Sequence, residues 1–129
     1  MLAADTNVLV RFITADDPTQ SRRARALIAA NDIFVATTVL LETEWVLRSA
    51  YKFTVDDVAD ALTAFAGLPQ IKLENPEATA KALDWLRNGM DFADALHLAA
   101  SADCEAFASF DESLMRKAKA AGATPVRRP

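Results

Sequence analysis

The sequence contains only one cysteine, Cys104, and one histidine, His97. A lone cysteine excludes an internal disulfide framework and is typical of a reducing compartment. A single cysteine and a single histidine also cannot form the nitrogen and sulfur ligand set that zinc prefers. Any metal site in this chain is therefore expected to use oxygen ligands, which suits Mg²⁺ or Mn²⁺.

Glycine is also scarce, with three residues in the chain. The absence of a glycine-rich turn excludes a nucleotide-binding Rossmann domain, and no Gly/Ser linker divides the sequence. A length of 129 residues fits one domain, so we predict a single domain over residues 1–129. No apolar run approaches the ~20 residues of a membrane-spanning helix, and the N-terminus lacks a signal-peptide pattern. We expect a cytoplasmic protein that does not contact a membrane.

The sequence has no excess of positive charge, since its net charge is −4 and its pI about 4.9. This balance argues against a broad basic surface for nucleic acid. The objection weakens if several acids bind a cation, because basic residues then dominate parts of the remaining surface. These positions are Arg22, Arg23, Arg25, Arg116, Lys117 and Lys119.

Apolar residues make up 52% of the chain and recur with the periods of alternating strands and helices. The pattern predicts strands at about residues 1–4, 33–35, 71–73, 106–110 and 124–126. It predicts helices at about residues 7–13, 18–30, 38–51, 54–66, 76–88, 91–102 and 112–121, with Thr38 capping the third and Thr54 the fourth. We therefore predict an α/β fold with a mostly parallel sheet covered by helices on both faces.

Two acids directly follow predicted strands. Asp5 comes directly after the first predicted strand, and Asp111 comes directly after the fourth. Because ligands bind beyond the carboxyl ends of parallel strands, both carboxylates are candidates for one site. Each has a simpler explanation, however, as the start of a turn or the N-cap of a helix.

Two further acids are placed by helix periodicity. Glu42 lies between Val39 and Val46 with no cation one turn away, so we predict that it points inward; Glu44 has Arg48 four residues later, which predicts an exposed ion pair. Asp94 belongs to the first turn of a helix that Asp91 can cap. Two carboxylates about 5 Å apart repel by about 3 kcal/mol at an effective dielectric constant near 20. Four acids in one place therefore need a cation.

The motifs that contain these acids resemble those of one family. They are Asp5-Thr6-Asn7, Glu42 within Leu41-Glu42-Thr43-Glu44-Trp45, Asp91-Phe92-Ala93-Asp94, and Ser109-Phe110-Asp111. In this order they are similar to the PIN-domain ribonucleases, in particular the VapC toxins of bacterial toxin–antitoxin pairs. The resemblance covers essentially the whole chain and implies a PIN-like three-layer sandwich with a central sheet.

The resemblance also implies roles for individual residues. It identifies Asp5, Glu42, Asp94 and Asp111 as the catalytic acids, with Asp5 and Asp94 as direct ligands of Mg²⁺, for which Mn²⁺ can substitute. Supporting positions are Thr6, Asn7, Asp91 and Ser109, the last occupying a place where many relatives have threonine. It implies hydrolysis of RNA that leaves a 5′-phosphate and a 3′-hydroxyl, inhibition by a VapB-type antitoxin, and a homodimer.

Other interpretations remain open at this stage. The chain can instead be a stand-alone PIN-domain RNA-processing nuclease, or a metal-binding or interaction module without catalysis. A phosphohydrolase with a nucleophilic aspartate usually has a second acid two residues later, where this chain has Asn7. His97 is interpreted as a structural helix residue, and Glu44 has no assigned role. Arg11, Arg48, Lys52 and Arg87 are candidates for phosphate contacts, with solvated surface as the simpler interpretation.

Overall fold

The computed structural model describes all 129 residues. In chain order the elements are β1 (Leu2–Ala3), α1 (Thr6–Thr14), α2 (Pro18–Ala30), β2 (Ile33–Val35), α3 (Thr37–Ser49), α4 (Val55–Ala66), β3 (Ile71–Leu73), α5 (Pro76–Arg87), α6 (Phe92–Ala100), β4 (Phe107–Ala108), α7 (Glu112–Ala121) and β5 (Val126–Arg127). The chain divides into two compact units, Met1–Pro76 and Glu77–Pro129.

The first unit contains a three-stranded parallel sheet in the order β1-β2-β3. Leu2 pairs with Ile33, and Ile33 pairs with Ile71 on its other side. Each connection between neighbouring strands runs through two helices, as parallel pairing requires a long crossover. Ile33 and Val35 on the central strand have no solvent exposure, because helices cover this sheet.

The helices of the first unit bury apolar residues at helical spacing. Leu40 and Leu47 of α3 and Val58, Leu62 and Phe65 of α4 are almost completely buried. Full burial of such side chains contributes about 1.5–3 kcal/mol each. The rings of Phe12 and Phe65 meet edge to face with their centroids 5.6 Å apart, which joins α1 to α4.

The second unit contains α5, α6 and α7 and a two-stranded parallel sheet of β4 and β5. Phe107 pairs with Val126 and Ala108 with Arg127. The helices bury Leu86 of α5, Leu98 of α6 and Leu114 of α7. Gly122 ends α7 with φ +67°, a left-handed conformation that favours glycine.

The α/β class with parallel strands and flanking helices is confirmed. The hydrogen-bonded strands form one short sheet in each unit. The predicted strand at 106–110 is reduced to Phe107–Ala108, so Ser109 and Phe110 belong to the turn before α7. No helix exceeds 13 residues, and none has the length and apolar character that a membrane crossing requires.

The predicted cap of the third helix is wrong. The N-cap of α3 is Ala36, and no side chain of its own segment caps the helix. The carboxylate of Glu74, just after β3, instead accepts a hydrogen bond of 2.9 Å from the backbone N–H of Thr37. Thr54, by contrast, caps α4 as predicted, because its hydroxyl accepts from the N–H of Asp57 at 3.1 Å.

Candidate active site

Asp5 stands at the junction between β1 and α1. It is the N-cap of α1, and its Oδ1 accepts a hydrogen bond of 2.7 Å from the backbone N–H of Thr6. The residue is exposed, so its carboxylate stays accessible while it satisfies one of the free N–H groups of the helix. The helix N-terminus also favours the negative charge.

Thr6 connects Asp5 to the second acid of the first unit. The Thr6 side chain is buried, and its hydroxyl donates a hydrogen bond to Oε1 of Glu42. This bond joins the start of α1 to the middle of α3. Glu42 itself is exposed, so the prediction that it points inward without a partner is wrong.

Glu44 is the buried acid of α3, which corrects the prediction of an exposed ion pair. Only 1% of its surface is exposed, and Nε of Arg48 donates to both of its carboxylate oxygens at 2.7 Å. The pairing partner is the predicted one, but the environment is not. Leu40, Thr43, Glu44 and Leu47 share one helix face, and all four are buried.

The acids of the first unit line a cleft of about 400 Å³. Its wall includes Asp5, Thr6, Asn7 and Glu42, followed by Val10, Arg11, Val46, Ala50 and Tyr51. The predicted supporting residues Thr6 and Asn7 therefore lie in the same cleft as both predicted acids. A cleft lined by carboxylates, a hydroxyl and a guanidinium can bind both a cation and an anion.

Arg11 is held in this cleft by a hydrogen-bond network. Its Nη1 donates to the Asp16 carboxylate at 3.1 Å and to the Tyr51 hydroxyl at 2.9 Å, and its Nε donates to Gln20 at 2.7 Å. Tyr51 in turn donates to Asp16 at 2.6 Å. The hydrogen bond from Tyr51 lowers the pKa of Asp16, as do Thr14 and Arg11, against the opposing effect of desolvation. Arg11 is therefore an ordered cation, not a freely solvated one.

In the second unit, Asp91 and Asp94 stand at the start of α6. Asp91 is the N-cap, and its Oδ2 accepts from the N–H of Asp94 at 3.2 Å. The half-buried Asp94 has a raised pKa, first because of desolvation and then because of the negative charges of Asp91 and Asp111. Charges on His97 and Lys117 act in the opposite direction. The capping role predicted for Asp91 is confirmed.

Asp111 stands at the start of α7. Its Oδ1 accepts from the N–H of Leu114 at 3.1 Å, which makes it the N-cap. Its own backbone N–H donates to Oγ of Ser109 at 3.1 Å. Ser109 thus orders the turn that presents Asp111, and the exposed carboxylate influences Asp94 across the second unit.

His97 is not a candidate metal ligand, but it lies near the acids of the second unit, since its charge acts on Asp94. Its ring stacks on Phe107, with centroids 6.3 Å apart and planes 14° from parallel. It is exposed on α6, one turn after Asp94. The packing against Phe107 agrees with a structural role for this histidine.

The donor chemistry fits a hard divalent cation. Every candidate ligand is a carboxylate, hydroxyl or amide oxygen, which Mg²⁺ prefers. The raised pKa of Asp94 means that burial, and then the neighbouring negative charges, disfavour its ionised form, and a bound cation would act against that preference. The structure contains no group of three or more Asp, Glu, His or Cys side chains arranged to hold a metal ion.

Comparisons with known proteins found a matching family and matching solved structures. One of the solved chains that match is the crystal structure of VapC20 from Mycobacterium tuberculosis, described as a Sarcin-Ricin loop cleaving toxin. It is 21% identical, with a TM-score of 0.46, and the alignment covers 98% of this chain and 99% of that chain. No curated protein matches the sequence. The model of the PIN domain matches residues 3–120, and the chain therefore belongs to the PIN domain family.

Proposed function

We propose that this protein is a divalent-metal-dependent endoribonuclease and the toxin of a VapBC pair. The observation that carries the proposal is the family match over residues 3–120, a segment that contains all four predicted acids. The position of three of them at helix N-termini supports it, because such acids are both ordered and accessible. The toxin assignment rests on the four motifs in their order.

Asp5 and Asp94 are the proposed direct ligands of Mg²⁺ or Mn²⁺. Their carboxylate oxygens and their accessible positions support this assignment. Asp5 lies just before α1, and Asp94 lies in the first turn of α6. Asp91 and Asp111 add negative charge near Asp94.

The remaining residues have roles in handling the substrate. A bound divalent ion supplies Lewis-acid polarisation of the phosphate and lowers the pKa of a coordinated water. Glu42, fixed through one oxygen by the Thr6 hydroxyl, is proposed to orient the attacking water with its other oxygen. Asp111, ordered by Ser109, is the second candidate for this role. In-line attack by water leaves a 5′-phosphate and a 3′-hydroxyl.

The proposed partners follow from the toxin assignment. They are an RNA substrate, a VapB-type antitoxin that inhibits the enzyme, and a second copy of the chain in a homodimer, all in the cytoplasm. A stand-alone RNA-processing nuclease with the same catalytic acids is the alternative. A small reading frame directly upstream that encodes a DNA-binding N-terminal segment would favour the toxin.

The test is cleavage of structured RNAs by the purified protein with Mg²⁺ and with EDTA. We expect cleavage with Mg²⁺ only. Asp5→Asn and Asp94→Asn should each lower the rate about 100- to 1,000-fold, because metal catalysis contributes several kcal/mol and 1.36 kcal/mol is a factor of ten. Asp103→Asn, at an exposed acid of the second unit, is the matched control and should cleave normally.

Two outcomes would refute the proposal. One is cleavage by Asp5→Asn or Asp94→Asn protein at the unsubstituted rate. The other is equal activity in EDTA. Hydrolysis of phosphate monoesters without any cleavage of RNA would instead favour a small-molecule phosphohydrolase.

A further inference from the structure

Phe110 is a large aromatic side chain with 78% of its surface exposed. It lies between Ser109 and Asp111 in the turn that joins β4 to α7. The turn is ordered on both sides, since Ser109 Oγ accepts from the Asp111 N–H and the Asp111 carboxylate caps α7. An exposed aromatic ring on an ordered turn, one residue from a proposed catalytic acid, is placed to contact the substrate.

Two arginines lie beside this turn. The backbone N–H of Ser109 donates to the carbonyl oxygen of Arg127 at 3.0 Å, which extends the pairing of β4 with β5. The side chains of Arg127 and Arg128 are 71% and 57% exposed and pair with the exposed acids Glu105 and Glu112. Exposed ion pairs contribute little, so a phosphate can replace either acid at low cost. The edge of the small sheet therefore combines an aromatic ring with two available cations.

We propose that Phe110 stacks one unpaired nucleobase of the RNA, while Arg127 and Arg128 contact the adjoining phosphates. This proposal rests on the proposed ribonuclease function and adds a substrate-binding site to it. Proteins that bind single-stranded nucleic acid combine stacking aromatic residues with basic side chains along the backbone. A base within a duplex is already stacked on its neighbours, so this site selects RNA whose base is free, as in a loop or a single strand.

The aromatic contribution is tested by binding in EDTA, where cleavage does not proceed. The probe is a short fluorescein-labelled single-stranded RNA of mixed sequence, and binding is measured by anisotropy. Phe110→Leu keeps an apolar side chain without an aromatic face and should weaken binding about tenfold, because the base loses its stacking contact. Phe110→Tyr should bind as the unsubstituted protein does. Trp45→Leu removes another exposed aromatic residue, which is 60% exposed on α3, and should leave the affinity unchanged.

An abasic scan of the same probe makes the test specific. Removing one base at a time should weaken binding to the unsubstituted protein most at one position. In Phe110→Leu protein, removal of that base should cause no further loss. Arg127→Gln together with Arg128→Gln should weaken binding and reduce its dependence on salt concentration.

The proposal is overturned if Phe110→Leu binds the probe normally, or if every abasic position weakens both proteins equally. Equal losses in Trp45→Leu and Phe110→Leu would also overturn it, because the effect would then be general. Loss of a dimer or of a protein partner in Phe110→Leu, with unchanged RNA affinity, would assign the ring to a protein interface. Failure of the ribonuclease proposal is recognised separately, as absence of cleavage by the unsubstituted protein with Mg²⁺.

Discussion

At the scale of single residues, the two glutamates of α3 have different environments. Glu42 is exposed and accepts a hydrogen bond from Thr6, whereas Glu44 is buried against Arg48. Breaking an ion pair whose carboxylate is buried lowers stability, so Glu44 is the acid of α3 on which stability depends. Glu42 remains available for a role in catalysis.

We predict that Glu44→Gln lowers the free energy of unfolding by about 2–3 kcal/mol. Breaking a fully buried ion pair costs about 3–5 kcal/mol. We expect a smaller loss here because 36% of the Arg48 side chain is exposed. Glu42→Gln is the matched control and should change stability by less than about 0.5 kcal/mol. Urea unfolding followed by circular dichroism measures both. Equal losses in the two variants would show that the burial difference has no energetic consequence.

At the scale of elements, the predicted site residues double as helix caps. Asp5, Asp91 and Asp111 are the N-caps of α1, α6 and α7. A cap and a ligand need the same property, an oxygen that projects beyond the helix end. These three acids therefore do cap helices, and capping is compatible with a role in metal binding. Measuring the stability and the activity of the same variants separates the two roles.

We predict that Asp111→Ala lowers the stability by about 1 kcal/mol, whereas Asp111→Asn keeps it, because asparagine caps as well as aspartate does. Both variants should lose RNA cleavage, since neither provides a carboxylate. Thr54→Ala removes the cap of α4 and is the control: it should lose similar stability and keep full activity. Urea unfolding in EDTA and RNA cleavage with Mg²⁺ are the measurements. Full activity of Asp111→Asn would remove Asp111 from the catalytic set.

At the scale of the whole molecule, binding of a cation by the proposed site acids would offset part of the negative net charge. The net charge is −4, and the pKa of Asp94 is raised in the folded state. A raised pKa means that the folded chain binds this proton more tightly than the unfolded chain does. The contribution of Asp94 to stability therefore falls as the pH rises from the unfolded pKa of about 3.9 through the folded one.

We predict that Mg²⁺ raises the melting temperature of the protein at neutral pH by several degrees. Binding at a concentration 100 times the dissociation constant stabilises by about 2.7 kcal/mol. Asp94→Asn should show no such rise, yet in EDTA it should be at least as stable as the unsubstituted protein, because it has no ionised carboxyl at that position. Scanning calorimetry with NaCl at matched ionic strength is the control for screening. A rise of equal size in Asp94→Asn would place the ion elsewhere.

The sequence by itself determined which local elements form and the ends of several of them. The helices at Pro18–Ala30 and Glu112–Ala121 and the strands Ile33–Val35 and Ile71–Leu73 have the predicted bounds. Their signals are local, because a capping side chain, a proline at the first turn or a glycine after the last turn acts within a few residues. The ordered motifs were enough to predict the PIN family, which the family model confirms.

Only the tertiary structure decided which side of α3 faces the core. Val39 and Val46 mark one apolar face, and Leu40 and Leu47 mark another, so the periodicity of the segment allows either to be buried. The packing of neighbouring elements buries the second face together with Glu44, and it leaves Glu42 exposed beside Thr6. In the same way, the cap of α3 comes from Glu74, 37 positions along the chain. Contacts between residues far apart in the sequence depend on the tertiary fold, and helical periodicity carries no information about which distant segments meet.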